Sequence, residues 1–138
     1  TQYLNYPFFI KKDNLNFILE DSFTQKWQLN NNIILYLNQS KGNYENIILR
    51  HNIANDEFLD LANSKEGLSS DLPLLKDLSK KINKKLIIIS GDTGASYKLP
   101  SFYCKEFRNI KVIANGIGNF KKDTILIISE QRLFKYKI

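Results

Sequence analysis

The chain contains no methionine, one cysteine, one histidine and one tryptophan, and these scarcities close off several classes of protein. A single thiol, Cys104, cannot build an internal disulfide framework and suits a reducing, cytoplasmic compartment. A single imidazole, His51, excludes a histidine-rich metal centre made from this chain alone. No apolar run approaches the roughly 18–20 residues that cross a bilayer, so no membrane span is expected. The opening TQYLNYPFFI has neither a basic stretch nor a small-residue cleavage pattern and does not read as a signal peptide. With Thr1 at its start and no methionine, the chain reads as a piece cut or processed from something longer, and a targeting segment could precede it.

What is present is ordinary globular material. Apolar residues make up 43% and charged residues 25% of 138 positions, enough to bury a substantial core in one domain. The net charge of +6 comes mostly from lysine, which supplies 17 of the 20 basic residues. Lysine, asparagine and isoleucine together fill 51 positions, a bias that A/T-rich codons explain in large part. The lysines occur as pairs (11–12, 80–81, 84–85, 121–122) among acidic residues. That spread reads as a solvated basic surface first, and as a groove for nucleic acid or another polyanion second.

The apolar patterning predicts an α/β domain over 1–138, a layered sheet of about five to six strands with two to three helices. Strands are expected at 15–20, 45–50, 86–90, 110–114, 124–129 and 132–137. LIIIS at 86–90 is a continuous apolar run, as in a strand covered on both faces. The last two strands are separated only by Glu130 and Gln131, which is hairpin spacing. At 29–40 the run IILYL fits either a buried strand or a helix capped by Asn30 to Asn32. Helix is preferred, because a Lys-Gly-Asn turn and another strand follow. A helical stretch is expected at 55–63. The clearest helix covers about 71–83, where Leu72, Leu75, Leu78 and Ile82 form one stripe. There Ser70 or Asp71 can cap the first turn, Pro73 is tolerated, and Lys80 and Lys81 complement the terminal carbonyls. No repeat, low-complexity linker or internal domain boundary interrupts the pattern.

Chemistry concentrates after three of these strands, at Arg50-His51-Asn52, at Ser90-Gly91-Asp92-Thr93-Gly94-Ala95-Ser96 and at Asn115-Gly116-Ile117-Gly118-Asn119. Open α/β sheets bind ligands beyond the carboxyl ends of their strands, so neighbouring parallel strands would bring these segments together. His51 could ligate a metal or serve as a hydrogen-bonded structural imidazole. Asp92 could bind a metal or orient a water, or close a turn on the amide of Gly94. Gly91 to Ser96 could cradle an anion with backbone amides, but it lacks the Gly-Lys-Ser/Thr ending of a P-loop. Asn115-Gly116 is a turn signal before it is a site signal. Cys104, between Tyr103 and Lys105, reads as a half-buried packing residue rather than a reactive thiol.

Taken in order, the blocks NFILEDSFTQKWQLNNNIILYLN (16–38), IILRHN (47–52), Gly91-Asp92-Thr93-Gly94, KVIANGIGNF (111–120) and TILIIS resemble the C-terminal half of a calcineurin-like metallophosphoesterase sandwich. The resemblance implies a phosphate-ester hydrolase that uses metal-activated water, with His51 as a metal ligand. Asp92 stands where the first histidine of the family's Gly-His-x-His motif would be, and Gly94 where the second would be. Asp92 thus becomes a substitute ligand or catalytic group, with Asn52, Thr93 and Asn115 placed to contact a phosphate ester. The N-terminal Asp-x-His, Gly-Asp and Gly-Asn-His blocks of that family are absent here. A divalent metal (Mn, Fe or Zn) is therefore expected only when the missing half, or a partner chain, supplies further ligands. The chain alone should not turn over phosphoesters.

Two further readings stand beside this one. Gly91-Asp92-Thr93 could be a variant nucleophile turn of a Gly-Asp-Ser hydrolase, though such enzymes carry their histidine late in the chain and His51 is early. A non-enzymatic module could bind nucleic acid through its lysines, with affinity falling steeply as salt rises.

Overall fold

The computed structural model describes residues 7–20, 29–50, 73–91, 102–115, 124–129 and 132–137. The chain is α/β, built on a six-stranded mixed sheet with two helices among the described residues. In chain order the elements are β1 (Phe8–Lys12), β2 (Leu15–Leu19), α1 (Asn31–Gln39), β3 (Glu45–Arg50), α2 (Pro73–Lys81), β4 (Leu86–Ser90), β5 (Phe102–Phe107), β6 (Ile110–Asn115), β7 (Thr124–Ser129) and β8 (Arg132–Lys137). The strand order is β1-β2-β3-β4-β6-β5, and β7 pairs with β8 as a separate two-stranded sheet.

β2, β3, β4 and β6 run parallel, and the antiparallel strands β1 and β5 close the two edges. From β2 to β4 each crossover steps to the next strand in the same direction. Right-handed crossovers that all step one way lay their helices on one face. Both helices accordingly share a single buried cluster, in which Ile33 and Leu37 of α1 and Leu75 of α2 meet Ile18, Ile48, Ile88 and Val112. The opposite face buries Leu15, Ile47, Ile89 and Ile113, with Leu126 and Ile128 of β7 packed against them. β4 is thus covered on both sides, as its unbroken apolar run predicts.

Local chemistry fixes the element ends. The side chain of Asn30 accepts from the Asn32 amide at 2.9 Å and caps α1, which resolves the ambiguous IILYL run as helix. Two-residue turns at Asp13-Asn14 and Arg108-Asn109 join β1 to β2 and β5 to β6, and in each the first residue has positive φ, 53° at Asp13 and 54° at Arg108. β7 and β8 pair from Ser129 opposite Arg132, the two-residue hairpin spacing expected. The helix expected at 55–63 lies outside the described residues, as do Ser70 and Asp71. No described helix is long and apolar enough to cross a membrane.

Two strands were not legible in the sequence, β1 and β5, and both are edges. An edge strand needs little burial and so carries little apolar pattern; all five residues of β1 are exposed. Cys104 corrects a second expectation. It lies exposed on β5 rather than half-buried, because the far edge of the sheet leaves its side chain outside the core.

The helix-facing residues of the parallel strands form three rows across the sheet, since alternate side chains share a face. The middle row, Ile18, Ile48, Ile88 and Val112, is apolar throughout. At the amino end lies Asn16, Asn46, Leu86 and Ile110, and at the carboxyl end Arg50, Ser90 and Ala114, extended by Glu20 just past β2. Polar groups are therefore buried at both ends of an apolar belt.

Candidate site at the carboxyl edge of the sheet

β3 and β6 flank β4, parallel to it and in register, so Arg50, Ser90 and Ala114 lie side by side. The three segments singled out by sequence therefore leave the sheet from one edge. His51, Asn52, Asp92 and Thr93 lie outside the described residues; Asn115 lies within them as the last residue of β6, partly buried and paired with Phe102. Alternation turns Asn115 to the opposite face from Ser90 and Arg50. Gly91 is exposed, and a Cβ there would meet nothing within 4 Å.

Beneath this edge lies an ion pair that sequence reasoning passed over. Arg50 Nη1 stands 3.5 Å from Glu20 Oε2, with the two side chains only 0% and 3% exposed. The amide of Glu20 donates to the Leu49 carbonyl at 3.0 Å, so the backbone stays in register as the carboxylate comes alongside the guanidinium. Burial pulls the Arg50 pKa down, and the neighbouring Glu20 charge offsets part of that pull. Ser90 is buried beside Arg50. A signal for the pair was present: LNFILE and ENIILR each close an apolar strand with a charge of opposite sign, two residues after a core isoleucine.

Tyr103 of β5 pairs with Ala114 and packs against the helix-side core. Its pKa is pushed up to about 12, first by burial and then by Cys104. The phenol thus stays protonated over the whole neutral range.

Buried ion pairs are poor sources of stability, because desolvation consumes most of the Coulombic gain. What such a pair supplies is geometry: β2 and β3 are held at fixed spacing where their loops begin. Neither group can touch a ligand while sealed in the interior, so their chemical influence is positional and electrostatic. As for metal, no group of three or more His, Cys, Asp or Glu side chains is assembled among the described residues. A divalent transition metal takes about four donors, and His51 and Asp92 would leave such a site half made.

Comparison of the chain with protein-family models, with curated proteins and with solved structures finds no match.

Proposed function

We propose that the carboxyl edge of the sheet is a ligand site and that the chain is the C-terminal part of a metal-dependent phosphoesterase, inactive alone. One observation supports this reading above the others. Arg50 and Ser90 are paired positions on adjacent parallel strands, at the edge where α/β sheets bind ligands; in the sequence His51 directly follows the first and Asp92 comes two residues after the second. Asp92 adds a carboxylate, and Asn52, Thr93 and Asn115 add hydrogen-bonding groups for phosphate oxygens. The two metal donors of this chain do not complete a site, so the remaining ligands belong to an upstream half or a partner chain.

The test is calorimetric titration of Mn²⁺ or Zn²⁺ into the longer protein that contains this chain, alongside hydrolysis of bis-p-nitrophenyl phosphate. His51→Ala should abolish or severely weaken metal binding, and Asp92→Asn should weaken it and lower turnover. Absence of any divalent-metal binding by the longer protein would overturn the reading.

A further inference from the structure

The opposite, amino end of the sheet carries an open groove of about 910 Å³ lined by Lys84, Lys85, Arg108 and Lys111, with Glu45 and Glu106 the acidic residues among them. Four cations face two carboxylates. Lys111 is the cation most fully matched: its ammonium lies 2.7 Å from Glu106, and Glu45 adds to the same field. The groove keeps a net excess of two positive charges, carried by Lys84, Lys85 and Arg108 around the Lys111–Glu106 pair. Scattered in the sequence, these residues are gathered by the fold onto one concave surface.

The backbone that carries them is tied down. Asn109 Nδ2 donates to the carbonyls of Ile82 and Lys84 at 2.7 and 2.9 Å, and the Leu86 amide donates to the Asn109 carbonyl at 2.9 Å. Asn46 Nδ2 donates to the Lys85 carbonyl at 3.1 Å. The segment bearing Lys84 and Lys85 is thereby locked to the turn bearing Arg108, which fixes where all three cations start. Arg108 itself occupies the left-handed region at φ 54°, where glycine or asparagine fits at less cost.

We propose that this groove binds single-stranded nucleic acid through its phosphate backbone, independently of any chemistry at the carboxyl edge. From β3 to β6 the groove spans two strand spacings, roughly 10 Å. A single backbone fits a groove of that width, whereas a duplex, whose major groove alone is about 12 Å wide, does not. Asn43 and Asn83 also line the groove and offer amides for base edges.

The experiment is fluorescence anisotropy of labelled oligo(dT) with the full chain between 50 and 200 mM salt. Contacts from Lys84, Lys85 and Arg108 to three phosphates predict a slope of log K against log salt of about −2, since each contributes roughly −0.7 for a single strand. The double variant Lys85→Gln/Arg108→Gly should bring the slope to about −0.7 and weaken binding roughly tenfold at low salt. Glycine relaxes the strained turn, so a thermal midpoint equal to or above that of the parent shows that the loss is not unfolding. The control Lys76→Gln/Lys80→Gln removes the same charge from the exposed side of α2 and should leave the slope unchanged. A slope near zero, an equal loss in the control, or equal binding of polyglutamate or of duplex of the same length would each overturn the proposal.

Discussion

At the carboxyl edge of the sheet one cation and one anion, Arg50 and Glu20, are sealed together and balanced; at the amino edge four cations and two anions line an open groove. The two ends belong to the same strands and differ in what water can reach. A charge excluded from solvent must be matched within a few ångströms, so it fixes geometry and offers nothing to a partner. A charge at a wet rim costs little to leave in excess and remains available to a ligand. Backbone support differs too. At the amino edge the work falls to neutral amides, with Asn16 Nδ2 donating to Asn46 Oδ1 at 2.8 Å and the Tyr36 hydroxyl donating to Asn16 Oδ1 at 2.9 Å.

The sharpest way to break this contrast is Glu20→Ala, which removes the carboxylate facing a buried guanidinium. We expect a loss of about 3–5 kcal/mol in urea unfolding. The paired replacement Glu20→Leu/Arg50→Met should recover most or all of that loss. If Glu20→Ala costs under about 1 kcal/mol, the carboxyl-edge pair is not sealed and the distinction between the edges fails.

Asn46→Ala probes the other end. It removes the bond from Asn16 and the cap on the Lys85 carbonyl, and should cost about 2 kcal/mol by the same measurement. Because Asn46 also anchors the lysine-bearing segment, the variant should weaken oligo(dT) binding without changing charge.

Tyr103 sharpens the contrast through pH. Its folded pKa of about 12 lies above the ordinary tyrosine value of about 10. The folded state therefore holds the proton more tightly, and the associated stability is fully present below pH 10 and lost as pH rises towards 12. Urea midpoints of Tyr103→Phe should fall less across that window than those of the parent chain; parallel curves would refute the assignment.

The smallest expected effect is Arg108→Gly, a gain of about 1 kcal/mol from relief of the left-handed backbone. A loss instead would mean that the 5.6 Å contact between the Arg108 guanidinium and the Phe107 ring outweighs the strain.

Much of the architecture was written locally. The apolar spacing of Leu75, Leu78 and Ile82 specified α2, the Asn30 cap specified α1, and the unbroken LIIIS run specified a strand covered on both faces. These features depend on neighbours within a few residues, which a sequence displays directly. The sites were legible only in part. His51, Asn52, Asp92 and Thr93 lie outside the described residues, while the strands that lead to them end side by side as parallel neighbours would.

Tertiary structure alone decided which residues meet. Glu20 and Arg50 lie thirty positions apart, and Lys84 and Arg108 twenty-four. No local pattern joins either pair, because strand register and crossover direction set their proximity. The same sheet order turns interspersed lysines into a basic groove at one end and opposite strand-closing charges into a buried pair at the other. Sequence determined the helices and the strands with an apolar pattern, through periodicity and capping; long-range pairing determined the edge strands β1 and β5, which charges would be hidden and which presented.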